Sequence, residues 1–318
     1  MVIPTHNRRE LVLRAVQSVL DQAGVPRLQV VVVDDASSDD TLAALQQRYH
    51  DDARVELLST TRRYACGARN LGFDTARGNF VCFLDSDDFW LPGVARAMLE
   101  VFDRHPELAF VSVDGSTLPT PGVQALQQIV AGDSPGWSHA WFARAPLAEE
   151  TITLAAVPGT RRLLRGDFFP AIVNGDLFYL SGMIIRRDAV LAAGPFNERF
   201  RYYNDWEFFA RLCLQGPGAY LELDGFRRDT GRADQISRNR PRTALARRHL
   251  FIAHSLSRNA AAAGYAQILQ HALSDAHYGM ARSLAGAARA RLARRYLRRC
   301  LRERHKMLRC LALLAGWR

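Results

Sequence analysis

The sequence predicts an α/β fold in which a mostly parallel central sheet carries helices on both faces, followed by an all-helical C-terminal appendage. Three observations support this fold class. Apolar β-type runs alternate with helical patterns over the first 113 residues, which is typical of parallel strands joined by crossover helices. Acidic groups directly follow two of the apolar runs. From Ala244 onward the chain is rich in Ala, Leu and Arg at helical spacing.

The elements of the first 113 residues follow from periodicity and capping residues. Apolar positions at helical spacing after Asn7 predict the first helix, and the β-branched run before Asp34-Asp35 predicts a buried strand. The predicted elements are, in order, strand 2–3, helix 9–22, strand 29–33, helix 38–49, strand 54–58, helix 65–76, strand 80–84, helix 92–104 and strand 108–113. Only four residues precede Thr5, so the first predicted strand is short. This leaves open an N-terminus of the natural protein upstream of Met1.

Beyond residue 113 the patterns are less regular. Residues 114–170 are interrupted by Pro119, Pro121, Pro135, Pro146 and Pro158, and we interpret the stretch as an irregular, variable insertion. A strand over 183–185, a short helix over 188–193 and an amphipathic helix over 205–214 follow.

The charge is divided unevenly along the chain. Residues 240–318 hold 16 Arg and one Lys against two acids, a net charge of +15, which leaves −5 for residues 1–239. The basic tail contains few aromatic residues, so no nucleic acid partner is expected. Lys306 is the single lysine and lies in an Arg-rich helical stretch, which excludes P-loop, protein-kinase and pyridoxal-phosphate chemistry.

Cysteine usage and hydropathy suggest a compartment. Five cysteines without a CxxC pair argue against a disulfide framework or a zinc site. The N-terminus does not resemble a signal peptide, and no apolar run approaches the roughly 20 residues that span a bilayer. We therefore expect a cytoplasmic protein, with peripheral contact at the inner face of the membrane through 240–318 as an open alternative. An apolar stripe in the tail either lies on the membrane or packs on protein, and packing is favoured.

The acidic group Asp85-Ser86-Asp87-Asp88 ends an apolar strand with no Lys or His beside it. Three neighbouring carboxylates repel each other, and a hard cation such as Mn²⁺ or Mg²⁺ would offset their charge together with phosphate oxygens and water. The alternative is that Asp88 caps the helix that begins near Pro92 and that the other acids form a turn. Ligands bind at the carboxyl ends of strands in open parallel sheets, which favours the cation site.

Four blocks follow one another along the chain: Val2-Ile3-Pro4-Thr5-His6-Asn7, Val31-Val32-Val33-Asp34-Asp35-Ala36-Ser37-Ser38-Asp39, Gly67-Ala68-Arg69-Asn70-Leu71-Gly72 and Phe83-Leu84-Asp85-Ser86-Asp87-Asp88. In this order they resemble the blocks of glycosyltransferase family 2. The likeness continues through 181–187 and 194–198 to Asn204-Asp205-Trp206-Glu207, and covers residues 1 to about 237 except 114–170.

The resemblance implies a GT-A fold, an inverting reaction and a nucleoside-diphosphate sugar donor, with a UDP-sugar favoured. It implies that Asp87 is the direct metal ligand. The residues implied to bind the nucleotide sugar are Pro4 and Thr5 through the backbone, Asp35 at the nucleobase, Arg69 near the pyrophosphate, Asp85 at the donor sugar or ribose, and Ser86. The alternatives are that Asp34-Asp35 caps the next helix and that Arg69 is a solvated helix residue.

Asp205 is the implied catalytic base. An inverting displacement needs one carboxylate to take the proton from the acceptor hydroxyl, and the alternative is that Asp205 only caps its helix. The family usually has Glu-Asp here, whereas this chain has Asn204-Asp205 with Glu207 close by. Members of the family often carry a histidine near the position of Arg232, so a metal contact from that segment is in doubt.

These implications predict three regions: a nucleotide-sugar-binding half over 1–113, an acceptor-binding half over 114–239, and a basic helical region over 240–318. The expected function is sugar transfer to a hydroxyl of a glycan or lipid-linked acceptor, in the synthesis of a surface glycan such as exopolysaccharide or lipopolysaccharide. A sugar-phosphate nucleotidyltransferase would share the sheet and the metal, but it needs a Gly-rich loop and a catalytic Lys. A non-catalytic scaffold with a membrane- or nucleic-acid-binding tail is the other alternative.

Overall fold

A computed structural model describes residues 1–25, 27–118, 142–143, 145–229, 241, 243–285 and 290–302. At its N-terminal end, three strands form a parallel sheet with β2 in the centre: β1 (Val2–Thr5), β2 (Val30–Asp35) and β3 (Val55–Thr60). The four consecutive valines of β2 are buried because helices cover both faces of the sheet. This arrangement agrees with the predicted α/β class.

Three helices follow these strands: α1 (Arg9–Leu20), α2 (Thr41–Tyr49) and α3 (Tyr64–Thr75). α1 packs on one face of the sheet with Val30 and Val32, whereas Ala68 of α3 packs with Val31 and Val33 on the other face. Gly72 permits the close approach of α3, since a Cβ there would lie 2.4 Å from Val2 Cγ1. The alternation of side chains along β2 therefore fixes which helix lies on which face.

A second, mixed sheet contains β4 (Phe80–Val81), β5 (Asp88–Trp90), β6 (Phe110–Thr117), β7 (Leu147–Thr153), β8 (Thr160–Gly166), β9 (Met183–Arg186) and β10 (Gly218–Arg228). Its order is β4-β9-β6-β10-β8-β7, and β5 pairs with β10. β6 and β10 are parallel, and the other pairs are antiparallel. Val2 joins the two sheets: its N–H donates to the Cys82 carbonyl at 2.8 Å, and its carbonyl accepts from Leu84 N–H at 3.0 Å.

The described part of 114–170 is more regular than its sequence predicts. β6 extends to Thr117, and β7 and β8 pair as antiparallel neighbours. Pro146 lies just before β7, and Pro158 lies in the turn between the two strands, where Gly159 adopts a φ of +78°. The prolines therefore mark strand ends rather than an irregular segment. The three earlier prolines of the region lie outside the described residues.

Helices complete the second half and the C-terminal region. Short helices α5 (Phe169–Ile172) and α6 (Arg187–Ala193) precede α7 (Asn204–Leu212), and α4 (Val94–Arg104) covers the sheets beside α1. The C-terminal helices are α8 (Ala244–Leu256), α9 (Ala266–Ala285) and α10 (Ala290–Arg302). Apolar residues of α8 and α9 share one core with Phe208 and Phe209 of α7. The helical appendage is thus packed against the second half.

The stripe of α10 packs on protein. Ala293, Leu297 and Cys300 are buried against α9, and the arginines of the opposite face are exposed, namely Arg291, Arg294, Arg295, Arg298 and Arg299. Within 290–302 the packing alternative for the tail is therefore correct. Among the helices in the described ranges, none has the length and apolar character required to cross a membrane.

Candidate active site

A cavity of 1210 Å³ opens at the carboxyl ends of β1 and β2. All eight predicted site residues line it: Pro4, Thr5, Asp35, Arg69, Asp85, Ser86, Asp87 and Asp205. The first seven come from the N-terminal half, and Asp205 comes from the start of α7. The fold therefore brings the two acidic groups and the predicted base to one place, although Asp205 is far from the others in sequence.

Asp35 anchors the wall formed by β1 and β2. Its carboxylate is buried and accepts hydrogen bonds from Arg62 Nη1 at 2.6 Å and from the Arg63 backbone N–H at 2.5 Å. Pro4 and Thr5, which also line the cavity, are buried as well. The side chains of Asp34 and Asp35 lie on opposite faces of β2. The Asp34 carboxylate accepts from the Ser37 N–H at 3.1 Å, so it stabilises the turn before α2.

The three aspartates of the 85–88 group have different surroundings. Asp85 is the most exposed, with 41% of its side chain accessible, and accepts from Arg69 Nη2 at 2.5 Å. Asp87 lies 3.1 Å from Arg8 Nη1, and its side chain is 16% exposed. The same Arg8 nitrogen lies 3.3 Å from the hydroxyl of Ser86, which is buried. Two of the acids therefore face the cavity with an arginine beside each.

Asp88 lies on β5 and does not cap the helix after Pro92. It is buried and accepts from the Ser181 hydroxyl at 2.6 Å, while the same hydroxyl accepts from the Asp85 N–H at 3.2 Å. Burial raises the pKa of Asp88 well above its ordinary value, and the charges of Asp85 and Asp87 raise it further. The capping alternative for Asp88 is wrong because β5 forms on the edge of β10 and turns this carboxyl inward.

Arg69 joins the acidic group to the start of α7. It is buried, which contradicts the alternative of a solvated helix arginine. Its Nη2 donates to Asp85, and its Nη1 donates to the Asn204 side-chain oxygen at 3.0 Å. Burial is the largest single effect and lowers the pKa of the guanidinium, but the charge and hydrogen bond of Asp85, together with the nearby Cys66 and Asp205, raise the pKa of Arg69 overall. Arg69 remains charged and holds two walls of the cavity together.

Asp205 lies in the first turn of α7. The helix begins directly after Tyr203, which adopts a φ of +54°. One of its oxygens accepts from the Trp206 N–H at 2.9 Å. Burial raises the pKa of Asp205, the charge of Arg69 opposes this rise, and the charge of Asp85 adds to it. A carboxylate with a raised pKa is a stronger base than an ordinary aspartate.

Comparison with known proteins identifies the family. The sequence model described as "Glycosyl transferase family 2" matches residues 1–169, more than half of the chain. This chain belongs to glycosyltransferase family 2. Membership of this family supports a glycosyltransferase over the nucleotidyltransferase alternative.

Relatives of this family 2 enzyme match over part of the chain. Succinoglycan biosynthesis protein ExoO of Rhizobium meliloti is 40% identical over 124 residues, which are 37% of this chain and 35% of the relative. GalNAc(5)-diNAcBac-PP-undecaprenol beta-1,3-glucosyltransferase of Campylobacter jejuni is 36% identical over 102 residues, 31% of this chain and 33% of the relative. The match thus spans about a third of the length of these relatives.

Solved structures share the fold over most of the chain. The structure of S. aureus TarS 1-349 in complex with UDP-GlcNAc has a TM-score of 0.61 at 16% identity, covering 87% of this chain and 71% of that one. Mannosyltransferase PcManGT from Pyrobaculum calidifontis, in complex with GDP-Man and Mn2+, has a TM-score of 0.59 at 18% identity, covering 99% and 77%. These similarities confirm the predicted GT-A fold class.

The donor set of this family 2 enzyme can be compared with what a divalent cation needs. Within the described residues, no three His, Cys, Asp or Glu side chains are grouped to hold a metal ion. A site with one carboxylate, Asp87, still fits Mg²⁺ or Mn²⁺, because these ions keep several positions for phosphate oxygens and water. The charges of Asp85 and Asp87 add to the effect of burial in raising the pKa of Asp88, and a cation at Asp87 would offset them.

Sequence reasoning missed several residues of the family 2 site. Arg8 pairs with Asp87, Arg62 pairs with Asp35, and Ser181 links Asp85 to Asp88. Ser181 lies within a block that resembles the family, and Arg8 follows the first block, so their positions were a usable signal. Glu207 does not replace the missing acid, since it is buried and pairs with Arg211 at 2.9 Å. Arg232 lies outside the described residues.

Proposed function

We propose that this chain is an inverting, metal-dependent glycosyltransferase that moves a sugar from a nucleoside-diphosphate sugar to a hydroxyl of a glycan or lipid-linked acceptor. The observation that carries the proposal is the convergence of Asp35, Asp87 and Asp205 on one cavity. The first carboxylate suits a nucleobase donor, the second a cation beside a diphosphate, and the third a proton acceptor. Because all three line the same cavity, a single substrate complex could reach them.

The donor would lie along the carboxyl ends of β1 and β2. Asp35 would accept a hydrogen bond from the nucleobase while Arg62 and the Arg63 N–H fix its orientation. Pro4 and Thr5 would contact the nucleoside through their backbone, and Asp85 and Ser86 would lie at the sugar end. Arg69 would act by holding Asp85 and by placing positive charge near the pyrophosphate. A uridine nucleotide is favoured, and the structural similarity to a UDP-GlcNAc complex supports this choice.

Asp87 would hold a Mn²⁺ or Mg²⁺ ion, and Arg8 would have to move aside from this carboxylate or share it. When bound, the ion would neutralise charge that develops on the departing nucleoside diphosphate. The Mn2+ complex of the structurally similar mannosyltransferase supports this proposal.

Asp205 would remove the proton from the acceptor hydroxyl as that oxygen attacks the anomeric carbon from the face opposite the nucleotide. The bond to the nucleotide oxygen breaks in the same step, which inverts the configuration. Its raised pKa suits this role, because general base catalysis is most effective when the base has a pKa near the working pH. Asn204 would position the base through its hydrogen bond with Arg69.

The chain would contribute to a surface polysaccharide. The names of the relatives support this setting: one is a succinoglycan biosynthesis protein, and another is a putative teichuronic acid biosynthesis glycosyltransferase. We further propose that residues 1–113 bind the donor, that 114–239 bind the acceptor, and that the arginine face of α10 contacts an anionic membrane surface. The exposure of five arginines on that face supports the last point.

Calorimetric titration of UDP and GDP with Mn²⁺ or with EDTA tests the proposed metal site. We expect one nucleotide to bind at least tenfold more tightly with Mn²⁺, a difference of about 1.4 kcal/mol. Asp87→Asn removes the charge that holds the cation and should abolish this difference. Asp39→Asn, an exposed aspartate outside the cavity, is the matched control and should keep it. Equal binding with Mn²⁺ and EDTA by the unaltered enzyme would refute the metal assignment.

A further inference from the structure

The segment between α6 and α7 carries two arginines, Arg199 and Arg201, that line the cavity and are exposed. Within the described residues, neither guanidinium has an acidic partner; Glu198 beside them pairs with Arg63 and Asn70. Three other arginines of the cavity are paired with acids, namely Arg8 with Asp87, Arg62 with Asp35 and Arg69 with Asp85. The guanidinium carbon of Arg228 lies 4.4 Å from the centroid of the Tyr179 ring. The positive charge of this wall is therefore available to a ligand.

An exposed aromatic ring lies beside Arg201. Tyr64 is 54% exposed and adopts a left-handed φ of +59°, a conformation that a bulky residue rarely adopts. The Arg62 and Arg201 guanidinium carbons lie 4.8 and 5.8 Å from its ring centroid. Strained residues of this kind are concentrated at sites that bind ligands. The lip of the cavity thus combines an apolar ring with unpaired positive charge.

The arginine-bearing segment is held firmly from behind. Arg248 of α8 is buried and donates twice to the Tyr202 carbonyl, at 3.2 and 3.0 Å. Its guanidinium carbon lies 3.1 Å from the centroid of the Phe200 ring. From α3, the Cys66 thiol contacts the Phe200 carbonyl at 3.4 Å. Because the backbone of this segment is fixed, ligand binding at Arg199 and Arg201 costs little backbone conformational entropy.

The location of this wall indicates which substrate it meets. The segment leads within a few residues to Asp205, so it borders the place where the acceptor hydroxyl must lie under the proposed function. Asp85 and Asp87, which also line the cavity, are assigned to the donor and the metal ion by the proposed function. An acceptor with a negatively charged group would therefore be drawn to the arginine wall, where guanidinium groups match phosphate oxygens.

We propose that Arg199 and Arg201 form a binding site for a phosphate or diphosphate group of the acceptor, with Tyr64 contacting the apolar part next to it. The proposal rests on the proposed function, since Asp205 defines the acceptor side. It narrows the acceptor to an anionic molecule, such as a glycan linked to a lipid diphosphate, and excludes a neutral free sugar as the natural acceptor.

The test is a calorimetric titration of farnesyl diphosphate below its micelle concentration and of inorganic diphosphate, each with saturating UDP and Mn²⁺. We expect the prenyl compound to bind, and the double variant Arg199→Gln, Arg201→Gln to raise its Kd by roughly tenfold or more. Arg27→Gln, an exposed arginine outside the cavity, is the single-site control and should leave the Kd unchanged. Arg199→Lys with Arg201→Lys should restore part of the affinity.

The two probes separate the sources of the anion. Preferential binding of farnesyl diphosphate supports a lipid-linked acceptor, and equal binding of both probes supports a site for the anion alone; both outcomes support the arginine site. If neither probe binds, or if the double variant binds as tightly as the unaltered enzyme, the proposal is overturned. A separate titration measures the binding of UDP with Mn²⁺ in the absence of either probe. A failure of the proposed donor site can therefore be distinguished from a failure of the arginine site.

Discussion

The surroundings of Asp205 affect both its proposed role as a base and the stability of the folded protein. Asp205 is half-buried at the cavity, one of its carboxylate oxygens accepts from the Trp206 N–H, and Arg69 supplies compensating positive charge. Burial raises its pKa, so the folded protein favours the protonated form more than the unfolded chain does. Such a group contributes stability at low pH, and this contribution is lost as pH rises through the raised pKa. The site therefore carries a stability cost at neutral pH.

Asp205→Asn should separate these two effects. The amide cannot take a proton, so we expect transfer to fall by roughly 10²- to 10⁴-fold with nucleotide binding retained. Because the amide also needs no ionisation, the variant should have a higher melting temperature than the unaltered enzyme at pH 7 and show little difference below the ordinary aspartate pKa. Thermal melts at several pH values, with Asp188→Asn as an exposed control, measure this. A lower melting temperature at pH 7 would contradict the assigned shift.

At the scale of elements, α8 supports the segment between α6 and α7, which carries Phe200 and Tyr202. Arg248 combines two hydrogen bonds to Tyr202 with a stack on Phe200, and Phe251 of the same helix contacts Phe200 edge to face. Burial lowers the pKa of Arg248 to about 10, and the charges of Glu207 and Asp205 partly offset this. The guanidinium remains charged at neutral pH, so the C-terminal helices contribute directly to the geometry of the segment before Asp205.

Arg248→Met should therefore reduce both stability and turnover. Loss of the charged hydrogen bonds is expected to cost about 1.5–3 kcal/mol of unfolding free energy, and kcat should fall more than the affinity for UDP changes. Arg248→Lys keeps the charge and should recover part of both. Denaturant melts and steady-state kinetics measure the two effects, and Arg247→Met, at an exposed neighbouring position, is the control. A variant with unchanged kcat would show that α8 does not position the site.

Periodicity and turn residues predicted most elements of the N-terminal half, because buried β-branched runs and amphipathic helices give clear signals. β7 and β8 were not predicted because their side chains are largely polar or partly exposed. β10 begins with buried residues, but polar residues follow Leu221, so its apolar run is short. The site followed from ordered blocks at strand ends. The pairing of Arg69 with Asn204 was not predictable, since it joins residues 135 positions apart through tertiary packing.

At the scale of the whole molecule, the charges that are divided unevenly along the sequence lie on different parts of the protein. The acidic groups of the N-terminal half line the cavity, whereas α10 presents arginines to solvent and packs its apolar stripe on α9. Insertion of that stripe into a bilayer would remove it from the protein core. Any membrane contact of α10 is therefore expected to be electrostatic, which makes it sensitive to salt.

Vesicle sedimentation tests this expectation. Phosphatidylcholine vesicles containing phosphatidylglycerol should retain the protein at low salt and release it at about 0.5 M salt, because exposed charges are screened. The triple variant Arg291→Gln, Arg295→Gln, Arg298→Gln should bind less, since each arginine contributes about 1 kcal/mol near an anionic surface. Arg27→Gln, Arg77→Gln, Arg104→Gln removes the same charge elsewhere. Equal loss in both triple variants would indicate a general charge effect instead.

The central claim is that one cavity combines a nucleotide-sugar site with Asp205 as the base. Its most direct test is the release of nucleoside diphosphate from a panel of UDP-, GDP- and TDP-sugars, supplied with Mn²⁺ and a prenyl-diphosphate-linked sugar as acceptor. The account predicts acceptor-dependent release from one donor by the unaltered enzyme, and loss of that release in Asp205→Asn despite retained nucleotide binding. Equal release by Asp205→Asn would contradict the account.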